Sequence, residues 1–421
     1  MSVSPDTSEQ APGLSRGVTL ALAAACGVAV ANVYFPQAIS PLVAVGLHGS
    51  PGSAALVVTA AQLGYAAGIF LLVPLGDRVP HRRLVVTLLA LTCLGLVVAG
   101  SARSLPVLAG ASAAVGLTTV VPQIIIPMAA GMTPPERRGA VTGTLLSGLI
   151  GGILLARTFG GTLGQWLGWR APYLVAAGIV LALAAVLARV VPDDAPPSRL
   201  RYPALLAQSL HLIRTEPELR RSCLYQAMVF AGFSAAWTCL ALYVTGPGYH
   251  LTVATVGLIA LVGAASMFAT PIAGRQVDRT GPDRVNLVCL IGTVLAAGVL
   301  AAGRAGGVGG LLALIVGMLM LDVAMQSGQV ANQARIFALQ PQARSRLNTA
   351  YMTCSFLGGS AGSWIGVRVY STAGWDALCA LVVATAALAL VHHARHRLRL
   401  RASTAAPASA TAALRAADTH P

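Results

Sequence analysis

Long apolar runs, separated by short connections that carry most of the arginines, make up most of the chain. Twelve runs are long enough for a helix to cross the hydrocarbon core of a bilayer, which takes about 20 residues. A helix pairs its own backbone groups and is therefore the form such runs take in lipid. The pattern predicts an all-α membrane protein with twelve transmembrane helices. We number them spans 1 to 12, at about residues 17–40, 54–76, 84–102, 105–132, 139–164, 169–190, 222–245, 254–274, 285–303, 308–337, 347–371 and 376–394.

Arginines are concentrated in every second connection between the spans. The other connections contain little beyond Arg103, Arg170 and Arg304. Because connections rich in basic residues stay in the cytoplasm, the asymmetry predicts that both termini are cytoplasmic. The arginine-rich set is Arg78, Arg82 and Arg83; Arg137 and Arg138; Arg199 to Arg221; Arg275, Arg279 and Arg284; Arg344 and Arg346; and Arg395 to Arg401.

The connection between spans 6 and 7 is the longest inside the chain, and it separates six spans from six. Within it, Leu206, Leu210 and Ile213 could line one face of a short surface helix. The Ala/Ser/Thr/Pro-rich stretch 402–421 is expected to be disordered. The predicted divisions are a cytoplasmic tail 1–16, an N-terminal bundle 17–190, a central cytoplasmic loop 191–221, a C-terminal bundle 222–394 and a cytoplasmic tail 395–421.

Composition supports a membrane protein, because the chain is 56% hydrophobic and only 10% charged. Soluble domains carry roughly 25% charged residues. The net charge of +15 could suggest nucleic-acid binding, but the arginines lie where membrane topology requires them, so no nucleic-acid partner is expected. Lysine is absent, which excludes a P-loop lysine and a Schiff-base lysine. Nearly all of the seven cysteines fall in apolar spans and form no C-x-x-C pair, so no metal or cofactor is expected.

A short charged motif occurs twice, at equivalent places in the two halves. Asp77-Arg78 follows span 2 and Asp278-Arg279 follows span 8, and Gln123 in span 4 matches Gln329 in span 10. These correspondences predict a duplicated six-helix unit, as in many secondary transporters. Each aspartate could bind a neighbouring helix N-terminus and an arginine, forming a latch that closes one face. Alternatively, the arginines serve only membrane topology.

Gly274 to Gly281 matches the pattern G-x-x-x-D-R-x-G, and the first copy differs from it by Val73 and Pro80. This chain therefore resembles the major facilitator superfamily. Its Pro74-Leu75-Gly76-Asp77-Arg78 variant is similar to the bacterial arabinose-efflux-like and drug:proton antiporter branch. The resemblance implies two pseudo-symmetric six-helix bundles that work by alternating access. Two marks of proton-coupled members are missing: Ser112 lies near the position of the span 4 arginine, and span 5 lacks the Gly-Pro signature.

Charged residues inside a span are costly, and they are therefore candidates for function. Asp322, in the middle of span 10, is the acid placed well inside a span, and we predict that it couples transport to protons. The alternative is a structural aspartate satisfied by a neighbour. Arg157 in span 5 could line the cavity, pair with Asp322, bind an anionic group of the substrate, or reach the outer interface.

Polar residues on otherwise apolar spans are candidates for the substrate pathway. In the family that the chain resembles, helices 1, 4, 7 and 10 line the central path. Interhelical hydrogen bonding is an equally good explanation of these side chains. Besides Arg157, the candidates are Asn32, Tyr34, Gln62, Gln123, Gln226, Trp237, Gln326 and Asn332.

Gly358-Gly359-Ser360-Ala361-Gly362 matches the hydrolase pattern G-x-S-x-G, but it lies in span 11 with no strand before it, so we predict helix packing. We predict a monomeric, non-enzymatic secondary transporter of the bacterial inner membrane. It would export a sugar-like or drug-like molecule in exchange for protons. The alternative is a proton-coupled uptake symporter of a small polar metabolite. A membrane-embedded enzyme or receptor would need a polar catalytic cluster or a sensory domain.

Overall fold

The computed structural model of the chain describes residues 14–191, 201–340 and 343–417, and each regular element in those ranges is a helix. Most of the predicted tail 1–16, part of the central loop and residues 418–421 lie outside the described residues. The first six spans are Arg16–Gly46, Pro51–Leu72 with the 3-10 helix Val73–Asp77, His81–Gly100, Leu105–Thr118 with Val121–Gly131, Pro135–Leu167 and Ala171–Val190. The others are Pro217–Thr245, Val253–Gly263 with Ala264–Phe268 and Ala269–Thr280, Pro282–Ala301 with Ala302–Ala305, Gly307–Leu339, and two spans within Arg344–Ala417.

Among the described residues, 11 continuous helical stretches are long and apolar enough to cross a membrane. The last of them contains spans 11 and 12, because Gly374 interrupts the helix Arg344–Ala417 with a φ of 78°. Glycine adopts a positive φ at little cost, and this residue therefore marks the turn between the two spans. The twelve predicted spans are present. The predicted disorder of 402–421 is wrong as far as Ala417, where the helix ends.

Two spans are broken helices, which the apolar pattern did not reveal. Span 4 is interrupted at Thr119 and Val120, and the Thr119 hydroxyl donates to the Ala29 carbonyl of span 1 at 2.6 Å. Span 8 passes through the 3-10 helix Ala264–Phe268 before it continues. Both interruptions consist of small or apolar residues, so hydropathy alone gives one unbroken run in each case.

The central connection contains the predicted short helix, at Tyr202–Thr215. Its buried face is one residue away from the predicted one. Leu205, Ser209 and Leu212 are buried, whereas Leu210 is 48% exposed. Residues at i, i+4 and i+7 share a helix face in either register. The polar Ser209 in the buried set made the fully apolar set, one residue later, look like the buried face.

The chain forms two compact units. Unit 1 comprises Met1–His211 and Thr252–Ala264, and unit 2 comprises Leu212–Leu251 and Ala265–Pro421. Glycines allow backbones to approach closely within unit 1. A Cβ on Gly152 of span 5 would collide with the Gly27 backbone of span 1, and a Cβ on Gly116 of span 4 would collide with the Ala61 carbonyl of span 2. Small residues let membrane helices pack by van der Waals contact.

Unit 2 has a similar contact between spans 7 and 11. A Cβ on Gly358 would collide with the Ala227 backbone, and one on Gly362 would collide with the Ala231 backbone. The Ser360 hydroxyl between them donates to the Phe356 carbonyl of its own helix at 2.8 Å. The G-x-S-x-G match is therefore a helix-packing surface, as predicted, and Ser360 is not placed as a nucleophile.

Candidate functional site

Arg157 is the most deeply buried cation among the described residues of unit 1, with 0% of its surface exposed. Its Nε donates to Oε1 of Gln37 at 2.9 Å, and its Cζ lies 5.2 Å from the centroid of the Tyr34 ring. Gln37 follows Pro36, which lies inside span 1 and removes a helical hydrogen bond. Spans 1 and 5 thus hold a guanidinium inside unit 1 by an amide and an aromatic face.

The other unit 1 candidates are buried near these spans. Asn32 donates from Nδ2 to the Thr119 hydroxyl at 3.4 Å, at the break in span 4. Gln123 lies beside the Tyr65 hydroxyl. Gln62 is fully buried on span 2. These amides therefore lie inside unit 1. Both explanations of them, lining of the substrate pathway and hydrogen bonding between helices, remain predictions.

Asp322 is the buried acid of unit 2, with 1% of its surface exposed. The indole Nε1 of Trp237 on span 7 donates to its Oδ1 at 3.3 Å. Trp237 is equally buried and packs against the ring of Phe233, one turn earlier on the same helix. The structure brings together two residues that the sequence proposed separately. An indole N–H only donates, so Oδ1 of Asp322 is the acceptor in this contact.

The remaining unit 2 candidates are also buried. Gln326 follows Asp322 by one turn of span 10, and Gln226 lies on span 7. Asn332 accepts a hydrogen bond from Nη1 of Arg335 at 3.3 Å. Asn332 thus belongs to a charged cluster near the end of span 10, which the sequence analysis did not identify.

That cluster consists of Glu218, Arg221, Asp283 and Arg335, from spans 7, 9 and 10. Nη2 of Arg221 lies 2.6 Å from Oε2 of Glu218 and 2.8 Å from Oδ1 of Asp283. Arg335 also pairs with Asp283, and its Nε lies 3.6 Å from Oε2 of Glu218. Both arginines are buried. Four side chains of alternating charge thus link the ends of three spans. The spacing of these residues in the sequence does not indicate the cluster.

The predicted latch residues have different environments in the two copies. Asp77 ends the 3-10 helix Val73–Asp77 and is half-buried, and Arg78 is exposed. Asp278 and Arg279 are both exposed. In unit 2 the ion pairs of the buried arginines Arg221 and Arg335 use Asp283, five residues further along the chain. Whether Asp77 and Asp278 act as a latch stays a prediction.

Comparison with known proteins agrees with this architecture. Residues 20–363 match the family model of the Major Facilitator Superfamily. The putative uncharacterized transporter YgaY of Escherichia coli K12 is 37% identical over 379 residues, which cover 90% of this chain and 94% of that protein. The probable nitrate/nitrite transporter NarK2 of Mycobacterium tuberculosis is 30% identical over 288 residues, covering 67% of this chain and 72% of that protein.

Solved structures show the same fold. A bacterial homologue of the human lysosomal transporter Spinster, in an inward-facing and occupied conformation, aligns with a TM-score of 0.67 and 16% identity. The alignment covers 91% of this chain and 96% of the homologue. Given the family match over most of the chain, the resemblance predicted from the D-R motifs is confirmed. This chain belongs to the Major Facilitator Superfamily, and it is a multi-pass membrane transporter of a small molecule and not an enzyme.

Proposed function

We propose that the protein is a proton-coupled secondary transporter that exports a small molecule by alternating access, with Asp322 as the coupling residue. The observation that carries the proposal is the buried contact between Asp322 and Trp237. The proposal places the protein as a monomer in the bacterial inner membrane, with both termini in the cytoplasm, because the arginine-rich connections are expected on that side.

The energetics of a buried acid support this role. An aspartate at the centre of a bilayer costs several kcal/mol unless it is hydrated, paired or protonated. Among the described side chains, Asp322 is the acid with almost no exposed surface. Alternating access changes the hydration of a central site during each cycle, and the change in hydration shifts the preference of a carboxylate for its proton. Asp322 would thus load a proton in one state and release it in the other.

The test uses purified protein in proteoliposomes that contain a pH-sensitive dye. Substrate-driven proton flux is screened across sugar-like and drug-like compounds. Asp322→Asn keeps the shape and should abolish proton flux and gradient-driven accumulation, while passive exchange of substrate remains. Asp376→Asn is the matched control, because Asp376 is 58% exposed. Normal proton flux through Asp322→Asn would show that coupling lies elsewhere.

Export of a sugar-like or drug-like compound is supported only by the similarity of the D-R motif to the efflux branch. The alternative is uptake by symport of a small polar metabolite. Everted membrane vesicles separate the two. An exporter accumulates substrate inside them when the lumen is acidified, whereas a symporter in the same vesicles drives substrate outward.

We propose in addition that Asp77-Arg78 and Asp278-Arg279 gate one face of the transporter. Asn at either aspartate removes the charge and keeps the shape, and it should destabilise the closed state by roughly 1–3 kcal/mol. Transport should fall while expression persists. Wild-type turnover in both variants would exclude a gating role.

A second candidate substrate class is a small anion. Arg157 supplies a buried guanidinium on Gln37 and Tyr34, and a relative is named as a nitrate/nitrite transporter. Guanidinium binds planar oxyanions and carboxylates through paired hydrogen bonds. If the substrate is an anion, Arg157→Lys should lose most of its affinity, since Lys lacks the planar fork. A neutral substrate carried equally well by Arg157→Lys would exclude this class.

A further inference from the structure

Unit 2 contains a groove between spans 8, 9 and 10 with a volume of about 830 Å³. Apolar residues line most of it, among them Ile272, Val288, Leu319 and Val323. At the end near the D-R motif the lining turns polar, and Arg284 lies there. The groove is thus amphipathic along its length, with an apolar body and a cationic end.

The two units differ in sequence at the position that faces the groove. Nine residues before Asp77 stands Gly68, and a Cβ there would collide with the Leu117 carbonyl, so spans 2 and 4 touch closely in unit 1. Nine residues before Asp278 stands Ala269, which carries a Cβ and lines the groove. Small residues set how closely membrane helices approach. The groove therefore lies where unit 1 has its close helix contact.

The rim of the groove is exposed. Ile272 is 60% exposed and Val288 is 69% exposed, and both belong to membrane spans. On span 10 the groove is lined by Met320 and Val323, which lie on a different face of the helix from the buried Asp322. The groove is accordingly separate from the site proposed for proton coupling.

We infer that this groove binds an anionic phospholipid of the surrounding bilayer, with an acyl chain along the apolar walls and the phosphate at Arg284. The volume falls within the range of roughly 300–1,000 Å³ that holds drug-sized ligands. Charge complementarity selects the headgroup, because basic pockets between transmembrane helices bind the phosphates of anionic lipids. The bound acyl chain would fill the groove between spans 8 and 10, whereas in unit 1 the close contact of spans 2 and 4 leaves no such space. This inference does not depend on the proposed function.

Lipid titration of the thermal unfolding temperature tests the inference on purified, full-length protein in detergent. The additives are phosphatidylglycerol, phosphatidylcholine and inorganic phosphate. Phosphatidylglycerol should stabilise the wild-type protein at lower concentration than phosphatidylcholine does, and phosphate alone should have no effect. Stabilisation by phosphate equal to that by phosphatidylglycerol would overturn the lipid assignment.

Two variants separate the groove from general surface charge. Arg284→Gln should weaken the response to phosphatidylglycerol by roughly tenfold, the effect of one lost charge-assisted contact. Its matched control is Arg83→Gln, because Arg83 follows Asp77 by the same six residues as Arg284 follows Asp278. An equal loss in Arg83→Gln would mean that the lipid binds by surface charge, and the inference would then be wrong.

Gly292→Leu fills the groove without touching its charge. The nearest atom to a Cβ at Gly292 is the Ala324 Cβ at 3.7 Å, an ordinary contact, so the variant should fold. It should no longer be stabilised by either phospholipid. A Gly292→Leu protein that unfolds at the wild-type temperature without lipid and still responds fully to phosphatidylglycerol would overturn the inference.

Discussion

The two units treat equivalent positions in opposite ways. Gly116 lies seven residues before Gln123 in span 4, and Asp322 lies seven residues before Gln329 in span 10. In unit 1 the glycine brings the backbones of spans 2 and 4 together. In unit 2 the same repeat position carries the buried acid, which Trp237 holds. A duplicated scaffold has thus assigned packing to one copy and a charge to the other.

The buried ionisable groups also differ between the units. Unit 1 holds the basic side chain of Arg157 against an amide and an aromatic ring, and unit 2 holds the acidic side chain of Asp322 against an indole N–H. Arg157 and Asp322 each contact an uncharged side chain, whereas Arg221 and Arg335 pair with the carboxylates of Glu218 and Asp283.

Glycine substitutions at a close helix contact and at the groove should have the most different effects. Gly116→Leu forces a side chain into the Ala61 backbone and should destabilise the protein by about 3 kcal/mol or more. Gly292→Leu, whose Cβ would meet only the Ala324 Cβ at an ordinary 3.7 Å, should change stability by less than about 1 kcal/mol. Thermal unfolding in detergent measures both. Equal destabilisation would mean that the surroundings of Gly292 are packed as tightly as the contact of spans 2 and 4.

The charged cluster predicts the next largest effect. Asp283→Asn removes the acid shared by Arg221 and Arg335 and should cost about 1–3 kcal/mol, because two buried guanidinium groups lose a charged acceptor. Asp278→Asn, at an exposed position, should leave the unfolding temperature nearly unchanged. Comparing the two variants distinguishes a structural role from a gating role, since substitution of a gating residue alters transport without altering the unfolding temperature. A larger loss of stability in Asp278→Asn would contradict the structure.

Backbone conformation gives an effect of about the same size. Gly281 has φ 81° and ψ 161°, a region that essentially only glycine occupies. Gly281→Ala should therefore cost roughly 1–3 kcal/mol. Gly274→Ala is the control, because it lies in a helix with no atom within 4 Å of a new Cβ and should be neutral or slightly stabilising. Unit 1 has Pro80 in place of Gly281, at φ −50°, so its connection needs no such residue.

An exposed ion pair gives the smallest effect. Arg304 lies 3.4 Å from Asp376, and the two side chains are 73% and 58% exposed. Arg304→Gln should change stability by less than about 1 kcal/mol, since solvent screens such pairs. Unfolding in detergent at low and high salt provides the measurement. A loss as large as that of Asp283→Asn would show that exposure does not separate these two groups of charges.

The order of apolar and basic residues was enough to predict the twelve spans, and the repeated D-R motif added the fold and the family. A run of some 20 apolar residues is stable in lipid as a helix, because a helix pairs its own backbone groups. Hydropathy therefore predicts the spans directly. The repeated D-R motif was recognisable because the Asp-Arg pair stands at the end of a span in both halves, although only the second half has a glycine at the position of Gly281. The G-x-S-x-G match could also be rejected, because its position inside an apolar run excluded the strand that a nucleophile needs.

The breaks in spans 4 and 8 and the buried face of Tyr202–Thr215 were not predicted. Each depends on which neighbour a residue meets, and periodicity cannot supply that. Thr119, for example, leaves helical geometry while its hydroxyl reaches a carbonyl of span 1.

The sequence by itself determined that this is a twelve-span, duplicated membrane protein, and it picked out Asp322, Trp237 and Arg157 as unusual residues in apolar surroundings. Only the tertiary structure decided their partners. Contacts such as that of Trp237 with Asp322 join residues 85 positions apart. The cluster of Glu218, Arg221, Asp283 and Arg335 likewise depends on three spans meeting at one end. Hydropathy sets where a residue lies along the membrane normal, but helix packing sets which side chains meet there.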